Sequence, residues 1–227
     1  MAFELDIHED SEHYPQARFE PPKGFTELLL VRHGESEPAD PTRPFSLVDG
    51  RGDPALSPLG REQAVLVGVR LATLRVDAIY VTSLRRTAET AAPLAKSIGL
   101  VPHVEPALSE VRLGEWEGGL YRQRVAQGDP LVTQMREQER WDVIPGAESN
   151  AAIAARVGPA IERIAASHKG ERVVCFAHGG TIGAVLAIAT GSRPFAFIGS
   201  DNAAISSIVV VDSHWLLRGF NDRSHLE

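Results

Sequence analysis

Apolar residues along this chain fall into short dense runs that alternate with capped, helix-like stretches. "TELLLVR" (Thr26–Arg32), "DAIYVTS" (Asp77–Ser83) and "RVVCFAH" (Arg172–His178) are strand-length and nearly all apolar, as strands covered on both faces are. "SPLGREQAVLVGVRLATL" opens with Ser57 as an N-cap and Pro58 at the first helical position, which predicts a helix. "LRRTAETAAPLAKSIG" predicts a second helix, stopped at Gly99. "VPHVEPAL" reads as extended and "SEVRLGEWEGG" as a glycine-rich loop. Residues 120–140 read as a polar helix broken near "GDP". "ESNAAIAARVGPAIERIAASH" reads as a long helix interrupted at its glycine-proline pair, and "GGTIGAVLAIATG" as another helix. "AISSIVVVD" and "WLLRGFN" read as a closing antiparallel pair. Strands alternating with helices predict an α/β fold with helices on both faces of one sheet.

Two segments break the alternation. Residues 1–24 are polar and proline-punctuated and read as an arm, leaving residues 25–227 as one domain. Residues 35–54 carry Pro38, Pro41, Pro44 and Pro54 with Gly50 and Gly52, a long loop of the kind that borders functional sites.

Composition narrows the classes. A length of 227 residues suits one sizeable core, and 43% hydrophobic with 23% charged residues is ordinary for a globular protein. The net charge of −7 argues against a nucleic-acid surface while leaving room for a local basic pocket. One cysteine, Cys175, precludes an intramolecular disulfide and a cysteine-rich zinc site, which makes the cytoplasm the expected compartment. No apolar run reaches spanning length, and the N-terminus lacks the basic start and apolar core of a secretory signal, so no membrane partner is expected.

The chemistry gathers at strand ends. The first apolar run ends in Arg32-His33-Gly34, the second in Ser83-Leu84-Arg85, the third in His178-Gly179-Gly180. Ligands of open α/β sheets bind beyond the carboxyl ends of the strands, so topology alone gathers two histidines and two arginines there. With helix-start amides beside them, these groups describe a pocket for a phosphate or sulfate. Taken singly, each has an ordinary structural role available, Arg85 for instance a pairing with Glu89 one turn on.

"LLLVRHGES", "SLRRTAETA", "LSEVRLGEWEG" and "VVCFAHGGTI", in that order, resemble the signatures of the histidine phosphatase superfamily, in its phosphoglycerate mutase-like branch. "DPALSPLGREQA" is similar to the family's first-helix signature, and the likeness runs from about Thr26 to Thr190. The resemblance implies a three-layer α/β sandwich with a mostly parallel central sheet. It implies His33 as the nucleophile that becomes phosphohistidine, with Arg32 and Arg85 binding the phosphoryl oxygens. His178 becomes the second catalytic histidine, stabilising the same charge, and Glu110 the acid–base residue, with Glu115 and Glu117 as rivals on sequence alone. Ser36 and Gly179 join the phosphate-binding set, and neither a metal nor a cofactor is implied. Glu35 reads as a helix-start carboxylate and Trp116 as a packing residue at the pocket.

Departures from the mutase pattern bear on substrate. Ala39, preceded by Pro38, stands where mutases carry an asparagine after "RHGES", and "RLGEWEGGLYRQR" replaces their tyrosine-glycine pair and lysine-bearing loop. The expected activity is therefore that of a metal-independent phosphoric monoester hydrolase of the acid phosphatase type, acting on a small-molecule phosphate ester as a monomer or homodimer. A bisphosphate-primed phosphoglycerate mutase is the enzymatic alternative. An inactive phosphate- or phosphopeptide-binding pseudo-enzyme is the alternative from another class. Arg112, Arg122 and Arg124 are candidates for the pocket mouth, and the loop 37–52 for selecting the non-phosphate part of the substrate. The remaining histidines, His8, His13, His103, His168, His214 and His225, read as surface residues.

Overall fold

The computed structural model describes residues 19–227, so most of the expected arm lies outside the described residues. Strand β1 (Thr26–Arg32) leads into the proline-rich loop, which holds a small hairpin, β2 (Leu47–Val48) and β3 (Arg51–Gly52). Then follow α1 (Pro58–Ala72), β4 (Ala78–Val81), α2 (Arg85–Ile98), β5 (His103–Val104), α3 (Leu120–Gln127), α4 (Pro130–Gln138) and α5 (Asn150–Ser167). The chain closes with β6 (Arg172–Ala177), α6 (Gly179–Thr190), β7 (Ile205–Val211) and β8 (His214–Asp222).

Six strands form one sheet in the order β5-β4-β6-β1-β7-β8. The pairings β5–β4, β4–β6 and β6–β1 are parallel, while β1–β7 and β7–β8 are antiparallel. Side chains alternate across β1 and sort into two cores. Leu28 and Leu30 pack with Ile153, Val157 and Ile161 of α5 and with Ile182 and Leu186 of α6. Leu29 and Val31 pack with Val67 and Leu71 of α1 and with Ala91 and Leu94 of α2. A smaller cluster of Trp116, Val132, Met135, Ile144 and Phe195 supports the segment between β5 and α5. Because β1 and β6 are neighbours in parallel, His33 and His178 leave the same edge of the sheet side by side.

Three expectations change in detail. The long helix is not interrupted at Gly158-Pro159: α5 runs through both. Glycine before proline removes the Cβ that clashes with the pyrrolidine ring, and the buried face Ile153, Val157, Ala160, Ile161 and Ile164 holds the helix together. "VPHVEPAL" is extended only at β5, after which Glu105 caps a single 3₁₀ turn over Pro106–Leu108. Within the long loop, Asp49 and Gly50 both have positive φ, 51° and 73°. Asp-Gly between two paired residues is a strong two-residue hairpin signal, and it folds the loop back on itself.

Two glycines let the turn after β1 lie flat on α1. A Cβ on Gly34 would meet the Gly60 carbonyl oxygen at 2.4 Å, and one on Gly60 would meet the Glu35 oxygen at 1.9 Å. Glu35 itself accepts from the Ser57 hydroxyl at 2.7 Å, at the start of α1. Among the described residues, no helix is long and apolar enough to cross a membrane.

Candidate active site

His33 is the first residue beyond β1 and is 5% exposed. Its Nδ1 lies 2.7 Å from the Gly34 carbonyl oxygen, a contact that only a protonated Nδ1 can make as a donor. That tautomer leaves the lone pair on Nε2, and Arg86 Nε donates to it at 3.1 Å. Burial lowers the His33 pKa well below its ordinary value, and Arg86, Arg32 and Arg122 push it further the same way, against the Gly34 hydrogen bond. The imidazole is therefore neutral and correctly oriented, as a nucleophile must be.

The structure corrects one residue of the sequence reading. Arg86, not Arg85, reaches His33. Along α2 the buried positions Arg86, Thr90 and Leu94 fall four apart on one face, with Thr87 and Ala91 beside them. Arg85 sits one residue earlier and turns outward. Its side chain is 52% exposed and its Nε donates to the Asp53 carbonyl at 3.0 Å, whereas Arg86 is 7% exposed. The suggested Arg85–Glu89 pairing is also absent, since Glu89 accepts from the Leu56 amide at 2.7 Å. Burial brings the Arg86 pKa down to about 10, still cationic at neutral pH. Thr90 locks the arrangement by accepting from the Gly34 amide at 3.0 Å while donating to the Arg86 carbonyl at 2.6 Å.

Arg32 donates through Nη1 to the Ser200 carbonyl, while its buried Nε has no partner among the described residues. His178, the N-cap of α6, is fully buried, its ring 5.2 Å from that of His33 in an edge-on arrangement. His178 Nε2 lies 3.0 Å from the Thr82 hydroxyl, and Nδ1 is buried without a partner among the described residues. Buried polar atoms almost always find partners, so two such atoms on two strand ends beside His33 mark a place suited to an acceptor. A phosphoryl group on His33 would present oxygens to both. Burial, with Arg86 and His33, also lowers the His178 pKa well below its ordinary value.

Glu110 lies across from the histidines at the start of α6. Its carboxylate accepts from the amides of Val111 at 2.9 Å, Thr181 at 3.2 Å and Gly180 at 3.4 Å. A Cβ on Gly180 would come 2.8 Å from Glu110 Oε1, so glycine is what admits the carboxylate there. The strand-to-helix turn at Gly179 faces the Arg32 side chain. Of the rival glutamates, Glu115 is exposed, and Glu117 braces two loops by accepting from Leu113 N at 2.7 Å and Gly52 N at 2.8 Å.

Sequence reasoning missed the brace behind Glu110. Arg156 of α5 donates to the carbonyls of Ala107, Ser109 and Glu110, and its Nε donates to Glu148 at 2.7 Å. Arg51, on the hairpin, also donates to the Glu110 carbonyl. Burial alone would raise the Glu148 pKa, but the Arg156 hydrogen bonds and charge outweigh it and hold it below the ordinary carboxylate value. Nothing in a linear reading joins residues 51, 110, 148 and 156. The signal for Arg86 was present in the four-residue spacing to Thr90.

A cavity of about 250 Å³ opens onto these groups. Arg32, His33, Arg86 and Glu110 lie on its walls with Phe45, Arg51, Trp116, Tyr121, Arg122 and Trp141. The proline-rich loop thus borders the pocket through Phe45 and Arg51. Ser36 stands behind this wall, its hydroxyl accepting from Arg122 Nη2 at 2.7 Å. Arg112 and Arg124 do not line the cavity. His8 and His13 lie outside the described residues, and His168 proves structural, bonded to Tyr80 and Glu171. The Cys175 thiol, buried on β6 within the core, is pushed up to about 12 by burial, which removes it as a nucleophile.

Two histidines kept neutral by the fold imply a pH-dependent stability. Unfolded, each binds a proton near pH 6.5; folded, each binds it only at lower pH. The unfolded state holds more protons in that window, so stability is full above about pH 6.5 and falls as pH drops below it, by up to about 1.4 kcal/mol per pH unit for each histidine. Urea unfolding in phosphate-free buffer from pH 7.5 to pH 5 is expected to show this slope, and His33→Gln to remove roughly half of it. An unchanged slope in the variant would mean that His33 is already charged in the fold.

The profile of the family described as histidine phosphatase superfamily (branch 1) matches residues 28–223. A metal-independent phosphoserine phosphatase of Arabidopsis thaliana is 32% identical over 206 residues, 88% of this chain and 83% of that protein. A structure of mycobacterial glucosyl-3-phosphoglycerate phosphatase with VO3 aligns with a TM-score of 0.74 at 32% identity, over 86% of this chain and 98% of that one. A phosphoglycerate mutase from Bacillus anthracis aligns with a TM-score of 0.76 over 90% of this chain and 96% of that one; at 20% identity it speaks to the fold alone.

Proposed function

The chain belongs to the histidine phosphatase superfamily, branch 1, and on that premise we propose that it hydrolyses a small phosphate monoester through a phosphohistidine on His33. The observation that carries the proposal is the Nε2 lone pair of a neutral, Nδ1-anchored His33 beside the guanidinium of Arg86. Phosphatase relatives at about one-third identity support hydrolysis over phosphoryl exchange.

As the ester enters, Arg86 passes its hydrogen bond from His33 to a phosphoryl oxygen, with Arg32 and His178 Nδ1 donating to the others. His33 Nε2 attacks phosphorus in line with the departing alcohol, the P–O bond breaks, and Glu110 protonates the leaving oxygen. Water then attacks the phosphohistidine as Glu110 takes its proton, the N–P bond breaks, and His33 returns to its neutral form with release of phosphate. One carboxyl group serves both directions of proton transfer. Fixed donors aimed at the phosphoryl oxygens are each worth about 3 kcal/mol to the transition state. Because His33 stays neutral below its ordinary titration range, activity is proposed to extend to the acid side of neutrality, as in an acid phosphatase. The compartment is proposed to be the cytoplasm, with the chain acting as a monomer or homodimer.

The test is phosphate release from p-nitrophenyl phosphate in excess EDTA, with alkaline quenching to trap an acid-labile, base-stable phosphoenzyme from a labelled ester. Undiminished turnover and labelling on histidine are expected. Turnover that requires an added divalent cation would overturn the mechanism.

A further inference from the structure

Glu110 changes charge twice in each proposed turnover, yet it stands in a segment without regular structure, residues 110–113, between two short 3₁₀ turns. Two kinds of contact hold it. At the tip, the carboxylate accepts from the amides of Val111, Gly180 and Thr181. A charged acceptor binds such donors about twice as strongly as a neutral one, so this hold slackens whenever the carboxyl group carries its proton. At the base, the hold is on the backbone and does not depend on that proton.

Arg156 supplies the second hold. From α5, its Nη1 donates to the carbonyls of Ala107 at 2.6 Å and Ser109 at 2.8 Å, and its Nη2 to that of Glu110 at 3.3 Å. The cation is matched, because Glu148 accepts from Nε at 2.7 Å and from Nη2 at 3.0 Å, and the Glu148 side chain is 3% exposed. Glu148 also grips the segment further along: its amide donates to the Arg112 carbonyl at 2.9 Å, and its Oε2 accepts from Arg112 N at 3.3 Å. Neither Arg156 nor Glu148 lines the cavity. A guanidinium set on the Glu110 carboxylate itself would hold that group ionised and unfit to give a proton. One set on its backbone, with the charge matched by Glu148, fixes the position and leaves the proton free to move.

We propose that Arg156, with Glu148 as its counter-ion, is a positioning residue that keeps the Glu110 carboxyl group aimed at the leaving oxygen in both of its charge states. This rests on the phosphatase reading above and adds the device that keeps its acid in place. α5 suits the task, since its buried face of Ile153, Val157, Ala160, Ile161 and Ile164 anchors it in the core on either side of Arg156. A reacting group displaced by about 1 Å can lose on the order of a hundredfold in rate, so a loose backbone at Glu110 would be felt in proton transfer before it was felt in phosphate binding.

The experiment varies the leaving group. p-Nitrophenoxide departs without a proton, whereas the alkoxide of benzyl phosphate must receive one. The ratio of kcat/KM for p-nitrophenyl phosphate to that for benzyl phosphate therefore reports proton donation by Glu110. Arg156→Lys keeps the charge but cannot reach three carbonyls at once, and the ratio is expected to rise in it by about tenfold to a hundredfold. Glu148→Gln keeps the outline of the pair and removes its charge; a smaller rise is expected, and this variant decides the matter if a melting curve shows that Arg156→Lys does not fold. Glu110→Gln sets the ceiling of the ratio, and adding Arg156→Lys to it is expected to raise the ratio no further, as for two residues that act through one group. A ratio that stays at the wild-type value, whether or not both rates fall, would make the pair merely structural and overturn the proposal. A further rise in the double variant would overturn it too, since Arg156 would then act through something other than Glu110. Failure of the phosphatase reading looks different: the wild type would be inactive on benzyl phosphate, or Glu110→Gln would leave the ratio unmoved, and the proposal would fall with it.

Discussion

His33→Ala is expected to lower kcat for p-nitrophenyl phosphate by about 10⁴-fold or more, the scale seen when a covalent nucleophile is removed. His33 is the one imidazole among the described residues that line the cavity, and the Cys175 thiol is buried and pushed up to about 12. Binding is expected to survive better than turnover, because Arg32, Arg86 and His178 Nδ1 remain to hold a phosphate. Inorganic phosphate should therefore still inhibit or stabilise the variant. Residual turnover above about one part in a hundred would show that another group carries the phosphoryl transfer.

Arg86→Ala and Arg85→Ala separate two neighbours that the linear sequence does not. Removing Arg86 deletes the donor nearest His33 Nε2 and is expected to cost about a hundredfold to a thousandfold in kcat, as loss of one fixed transition-state donor does. It also removes the largest charge that lowers the His33 pKa, so the acid limb of the rate profile should move to higher pH. Arg85→Ala removes a half-exposed pairing with Asp53 and is expected to stay within about threefold of the wild type. Kinetics of both variants from pH 5 to pH 8 decide the matter. A larger loss for Arg85 would mean that the first turn of α2 is rotated from the arrangement described.

Most of the fold follows from pattern. The runs that predict strands at residues 26–32, 77–83 and 172–178 contain β1, β4 and β6, and the closing pair is β7 with β8. Ser57 with Pro58 opens α1, and Gly99 closes α2. These readings hold because burial and capping are local demands that each residue states for itself. The interruption predicted in α5 fails for the opposite reason: the packing of a whole helix face outweighs one proline.

By itself the sequence determined the elements, the α/β class and the residue types at the strand ends, including His33, Arg32 and His178, because a buried strand that stops in charge stops at a surface or at a site. The resemblance of its motifs added Glu110, which composition alone could not separate from Glu115 and Glu117. Only the tertiary structure decided between Arg85 and Arg86, since a helix turns 100° per residue and the inward side depends on what the helix packs against. The tertiary structure alone also joined Arg51, Glu148 and Arg156 behind the Glu110 backbone and brought Arg122 to the Glu37 carbonyl and the Ser36 hydroxyl. Strand and helix are written in neighbouring residues; charge balance within a pocket is a property of groups that meet only after the chain has folded.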